Sequence, residues 1–198
     1  MRAIVCESYG PPENLAEVEL PTPVPAGSEV RVRVTATGLG FVDGLMIQGL
    51  YQVKPPLPYR PGSEFAGVVD AVGPDCTDLQ PGARVFGSGS GALADYVCTE
   101  ASRCFRTPNG VSDAAAASLV VNYPTALYGL RDCGRLQRGE TVLVLGASGG
   151  VGLAAIATAR AFGARVVAAA STDAKRAAAL QAGADAAVDY TAPDWREA

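Results

Sequence analysis

The chain is 198 residues long, 48% hydrophobic and 18% charged, which suits one large or two small globular domains with a real core. Its formal net charge of −4 and the lack of any lysine or arginine stripe argue against a nucleic-acid partner, and no apolar run reaches the length of a membrane span. It contains no histidine, so the commonest general base and the commonest zinc ligand are missing.

The opening MRAIVCESYG has no apolar segment before a cleavage site, so no secretory signal is supported and the cytoplasm is the expected compartment. Residues 1 to about 110 are rich in valine, glycine and proline. Short strands fit Ala3 to Glu7, Ala16 to Leu20, Glu29 to Thr35, Phe65 to Val72, Ala83 to Phe86 and Ala94 to Cys98. In the third of these, Val30, Val32 and Val34 face one way and the arginines the other. Turns such as Gly10-Pro11-Pro12 and Gln80-Pro81-Gly82 separate them, and strands at this spacing suggest a small, partly open barrel or sandwich. The cysteines, Cys6, Cys76, Cys98, Cys104 and Cys133, have no C-x-x-C spacing and read as reduced thiols.

From Ser112 the texture becomes alanine-rich. Helices are expected over Asp113 to Leu119 and Thr125 to Leu136, and Thr141 to Tyr190 reads strand, helix, strand, helix, strand. That alternation is the mononucleotide-binding half of a Rossmann fold with a parallel sheet. Its first strand, Thr141 to Leu145, is a near-continuous apolar run, as expected of a strand covered on both faces. The following turn, Ala147-Ser148-Gly149-Gly150-Val151-Gly152, is a dinucleotide fingerprint with alanine at its first position. Gly149 lets backbone approach a pyrophosphate, Gly152 lets helix pack on strand, and the free N–H groups of the helix start favour an anion. The second strand ends at Ala170-Ser171-Thr172 without a carboxylate, and Lys175 and Arg176 follow. A hydroxyl and a cation there suit a ribose phosphate, hence NADPH over NADH; alternatively both cations only solvate the next helix.

In this order the segments Gly38-Leu-Gly-Phe-Val-Asp-Gly44, Gly49-Leu-Tyr-Gln-Val-Lys-Pro-Pro-Leu-Pro58, Pro61-Gly-Ser-Glu-Phe-Ala-Gly67, Pro81-Gly-Ala-Arg-Val-Phe86 and the Ala147 to Gly152 turn span the chain. The chain resembles the medium-chain dehydrogenase/reductase superfamily, more narrowly its zinc-free NADPH:quinone oxidoreductase, or zeta-crystallin-like, branch. The resemblance implies an α/β protein: a GroES-like, partly open β-barrel as catalytic domain over 1–118, then an incomplete Rossmann sheet over 119–198, with the active site between them. It implies hydride transfer from NADPH to a small-molecule electron acceptor, a quinone or conjugated carbonyl, with 2-enoyl thioesters a further option. By the same resemblance Tyr51 lines the acceptor cleft, Thr125 lies beside the nicotinamide carboxamide, Gly149, Gly150 and Val151 hold the pyrophosphate, and Lys175 and Tyr190 meet the adenosine phosphate. Tyr51 is also open to a plain packing role against the prolines of Pro55 to Pro58.

Several positions depart from the family pattern. Ser63 stands where zinc-dependent members have a histidine, their catalytic cysteine near Gly40 is missing, and no four-cysteine lobe is present, so no metal is expected. Glu64 reads as a structural carboxylate bonding the loop around it. Gly40 replaces an asparagine and Leu45 a cleft tyrosine of close quinone reductases, which leaves the acceptor open. The second Rossmann half is also missing after Trp195-Arg-Glu-Ala198, so the chain is expected to act as a weakly active fragment, or as a nucleotide-binding module whose exposed sheet edge is covered by a second copy or a partner chain.

Overall fold

Alternating apolar and polar residues make the first ladder, in which β1 (Arg2–Cys6) pairs antiparallel with β2 (Leu15–Glu19). The computed structural model describes residues 1–195 and divides them at Val120 into two units. In the first unit, β3 (Glu29–Gly38), β4 (Glu64–Val72), β5 (Arg84–Ser88), β6 (Tyr96–Glu100) and β7 (Cys104–Arg106) form one antiparallel sheet in the order β6-β3-β4-β5-β7. Register shifts in the β3–β4 ladder at Arg31/Val32 and Val34/Ala36 bend it. The sheet curls as a partly open barrel around Val30, Val32, Phe65, Val69, Val85 and Val97. Every cysteine is free, and burial pushes the Cys104 thiol up to about 12, so it stays protonated at neutral pH.

Two elements of this unit were not expected from the sequence. A seven-residue helix, α1 (Phe41–Ile47), follows β3, and β7 closes the far edge of the sheet. The helices after Ser112 also differ in their bounds. Ser112 accepts the Ala115 N–H and caps α2 (Asp113–Ala116), which stops at Ala116 rather than Leu119. Asp113 binds Arg84 and the Thr35 hydroxyl, and these hold its carboxyl below the usual carboxylate range. The next helix, α3 (Leu119–Leu127), starts six residues before Thr125 and runs through Pro124. Pro124 lacks an N–H, so the helix runs through it one backbone hydrogen bond short. Beyond α3 the chain widens into a π-helical turn, Tyr128–Cys133, and Arg135 takes a left-handed φ of 51°, so regular helix ends short of Leu136.

The second unit has the expected alternation: β8 (Thr141–Leu145), α4 (Gly150–Ala161), β9 (Arg165–Ala169), α5 (Asp173–Gln181) and β10 (Ala186–Val188), with a parallel sheet ordered β10-β9-β8. Its core is Val144, Ile156, Val166, Ala168 and Ala179. The expectation that β8 is covered on both faces is corrected. Val144 is buried, whereas Leu143 and Leu145 are 49% and 63% exposed. Both crossovers proceed in the same direction from β8, and right-handed crossovers then place both helices on one face of the sheet. Among the described residues no helix is long and apolar enough to cross a membrane.

Asp185, just before β10, accepts the Val166 N–H at 2.7 Å and binds Arg160 at 2.7 Å. The Val166 N–H holds its carboxyl below the usual range, with Arg160 adding to the effect. Its contribution is therefore present above the ordinary carboxylate pKa and is lost as pH falls through the lowered value. Asp185→Asn is expected to melt below the parent at pH 7, with the gap closing on acidification. A gap that stays constant down to pH 3 would show that the carboxylate charge is not involved.

Candidate functional site

In the first unit the loop after α1 is built from backbone bonds. The Leu50 N–H donates to Leu45 O at 2.9 Å, and Cys6 and Tyr59 exchange two backbone hydrogen bonds at the loop's far end. Tyr9 donates its hydroxyl to Pro55 O, and its ring lies so close to Gly49 that a Cβ there would sit 3.0 Å from it. The residue held against Pro55 is thus Tyr9. Tyr51 is half-buried, and its phenol has no hydrogen-bond partner among the described residues. Leu39, Phe41, Leu50 and Val53 in the same stretch are exposed.

Asp43 was not singled out from the sequence, and it organises this region. It is buried; one carboxylate oxygen accepts the Gly40 N–H at 2.8 Å and the other accepts the Ser63 hydroxyl at 2.8 Å. Gly40, which stands for an asparagine of close quinone reductases, and Ser63, which stands for a histidine of zinc-dependent members, are thereby tied into an internal network. Burial, then the Asp43 charge, pushes the nearby Tyr59 phenol up. Glu64, also buried, accepts the Val120 N–H at 3.0 Å in the first turn of α3, where the helix dipole favours a carboxylate. Among the described residues no group of three or more histidine, cysteine or acidic side chains comes together as a metal cage.

In the second unit the glycine turn sits at the carboxyl end of β8. The left-handed backbone falls on Gly146, φ 64°, one residue ahead of the expected motif. Ala147, expected among the cofactor-binding residues, is fully buried and donates its N–H to Ala169 O, so it packs the core and leaves Gly149, Gly150 and Val151 as the exposed surface. Gly152 is buried at the helix–strand contact: a Cβ there would lie 2.5 Å from Gly146 O. At Gly149 a Cβ would meet only Gly146 O, at 3.4 Å, so packing within the protein does not require glycine there.

The starts of the two long helices differ. Thr172 caps α5 by accepting the Lys175 N–H, whereas α4 begins at Gly149 with no side-chain cap. The N–H groups of Gly150, Val151 and Gly152 have no protein acceptor among the described residues. An uncapped helix start, a glycine at Gly149 that the protein's own packing does not require and no acidic residue in the first turn together fit a pyrophosphate.

The remaining expected residues fall around the same end of the sheet. Ser171 follows β9, the exposed Lys175 lies in the first turn of α5, and the exposed Tyr190 lies two residues beyond β10. Thr125 lies on α3 and donates its hydroxyl to Val121 O at 2.6 Å, which leaves its oxygen free to accept. Asn122, one turn earlier on the same helix face, lies against Gly150: a Cβ at Gly150 would be 2.8 Å from its amide oxygen. Nothing in the spacing of the sequence singled out Asn122. Arg176, taken from the sequence as a solvated or phosphate-facing cation, instead donates to Ala170 O at 3.0 Å and pairs with Asp189 at 2.8 Å and with Asp173.

Residues 26–109 match the family model described as alcohol dehydrogenase GroES-like domain, and residues 150–198 the model described as zinc-binding dehydrogenase. Over 200 residues the chain is 42% identical to quinone oxidoreductase-like protein 2 of Rattus norvegicus, covering 100% of this chain and 56% of that protein. A solved structure of the Thermus thermophilus quinone oxidoreductase, described together with its complex with NADPH, is 38% identical, with a TM-score of 0.86 over 96% of this chain and 60% of that one. A structure titled NAD-dependent alcohol dehydrogenase is 34% identical, with a TM-score of 0.93 over 100% of this chain and 66% of that one. The chain therefore spans little more than half the length of the curated relatives it matches. With a GroES-like barrel followed by the first strands of a Rossmann sheet, both matched in order, the chain belongs to the medium-chain dehydrogenase/reductase superfamily.

Proposed function

We propose that this chain carries the nucleotide-binding turn and an acceptor-binding loop of an NADPH-dependent oxidoreductase that reduces a quinone or another conjugated carbonyl without a metal. The observation that carries the reading is Gly149, whose missing side chain clears space beside the uncapped start of α4 and fills no need of the protein's own packing. The names of the quinone oxidoreductase relatives and the NADPH complex among the structural neighbours support it.

A bound reduced nicotinamide would supply hydride at C4. The chain's own part is to bind and orient. The N–H groups of Gly150, Val151 and Gly152 hold the pyrophosphate, and Ser171, Lys175 and Tyr190 meet the adenosine end. The Thr125 oxygen, its hydroxyl already donating to Val121 O, accepts from the carboxamide. Tyr51, with its phenol unpaired, donates to the acceptor oxygen that gains negative charge, a contribution of about 3 kcal/mol when well placed. Leu39, Phe41, Leu50 and Val53 offer an apolar surface suited to a planar, weakly polar acceptor.

Titration with NADPH and NADH, followed by nicotinamide fluorescence, tests the reading. Gly149→Ala is expected to cost about 1 kcal/mol or less in stability and to weaken NADPH binding at least about tenfold, because its methyl group occupies the pyrophosphate's space. Unchanged affinity would remove the turn from the site. NADPH oxidation with a quinone acceptor is the expected reaction, and binding without oxidation would instead identify a nucleotide-binding module.

A further inference from the structure

The first turn of α5 and the residue after β10 carry two cations and two carboxylates, and their pairing is uneven. Arg176 is fixed on three sides. One terminal nitrogen donates to Ala170 O at 3.0 Å and lies 2.8 Å from an Asp189 oxygen, and the other pairs with Asp173. Its side chain is only 19% exposed. Asp189 is itself oriented, its second oxygen accepting the Thr191 N–H at 2.9 Å and the Thr191 hydroxyl at 2.6 Å. Lys175, one residue before Arg176, is exposed, and its ammonium has no hydrogen bond or ion pair to any described residue.

Resting on the nicotinamide-dinucleotide reading above, we propose that Asp189 is the specificity-determining residue that withholds Arg176 from the 2′-phosphate, which leaves Lys175 as the cation that meets it beside Ser171 and Tyr190. A guanidinium whose donor edges already face two carboxylates and a carbonyl has little left for a phosphate. The cluster as a whole is formally neutral, so a dianionic phosphate gains from a single unmatched ammonium rather than from a basic pocket. The chain should therefore prefer NADPH only modestly, and the preference should shrink as salt screens the exposed lysine. Neutralising Asp189 releases one edge of Arg176 toward the strand ends and gives the cluster a net positive charge.

The test is the ratio of NADPH to NADH affinity, measured by equilibrium titration of the full protein, so that general destabilisation affects both nucleotides alike. Lys175→Gln is expected to bring the ratio close to one, through loss of about tenfold in NADPH affinity with NADH little changed. Asp189→Asn is expected to raise the ratio about threefold or more. Because Asp189 also holds Thr191, Asp173→Asn is the second variant: its side chain is fully exposed and binds only Arg176, and it should move the ratio the same way. An unchanged or lowered ratio in both aspartate variants overturns the proposal, as does an Arg176→Gln protein that loses as much NADPH affinity as Lys175→Gln. Failure of the parent protein to bind either nucleotide overturns the underlying nucleotide reading, and this inference with it.

Discussion

Replacing Gly152 with valine should cost the second unit about 3 kcal/mol or more and abolish nucleotide binding. A Cβ at this position would lie 2.5 Å from Gly146 O and 2.8 Å from two backbone atoms of Ala147. These are main-chain atoms of the turn, so they cannot swing away as a side chain would, and α4 must lift off the end of β8. Lifting it breaks contacts of Ile156 and Leu153 with the core that holds Val144 and Val166. It also displaces the N–H groups of Gly150 and Val151, which the proposed function assigns to the pyrophosphate. Urea denaturation followed by far-UV circular dichroism measures the loss. A variant within about 0.5 kcal/mol of the parent would show that helix and strand can separate freely, and the close approach would then not be what fixes this glycine. Paired with Gly149→Ala, three residues away, the experiment separates a glycine required by packing from one required by a ligand.

The second large effect is expected at Glu64. Its carboxylate is 3% exposed and accepts the Val120 N–H at the start of α3, and Gly38 lies so close beneath it that a Cβ there would be 2.6 Å from the Glu64 side chain. Glu64→Ala opens a cavity, strips an acceptor from a helix start and removes a charge that the helix dipole favours. Together these should cost about 3 kcal/mol. Glu64→Gln keeps the volume and one acceptor and should cost about half as much. Equal losses in the two variants would assign the whole effect to charge, and no loss in either would mean that the helix start finds another acceptor. This role agrees with the structural reading of Glu64 taken from the sequence.

What the sequence disclosed followed from how local its signals are. The Val30, Val32, Val34 alternation marks β3 because strand burial has a period of two, and Thr141 to Tyr190 reads as strand and helix in turn because apolar runs and alanine-rich stretches differ over a few residues. Where meaning depends on distant partners, the sequence was silent or misleading. The helix α1 is seven residues long with Gly44 inside it, too short to show a period. The apolar run in β8 suggested two covered faces, since composition does not record which side the crossovers take. Asp43 and Arg176 carried ordinary acidic and basic signals; only the fold shows that one binds Gly40 and Ser63 and the other is held by Asp189 and Asp173.

The bare start of α4 also affects how this protein must be handled at the bench. If these three backbone donors hold a pyrophosphate as proposed, small oxyanions are expected to compete for them, so phosphate or sulfate buffers would occupy the turn in place of a dinucleotide. Melting temperatures recorded in such buffers would then include the bound anion's contribution, and nucleotide affinities recorded in them would come out too weak. The same molecule would thus report two different stabilities in phosphate and in a zwitterionic buffer, and only the second describes the polypeptide by itself.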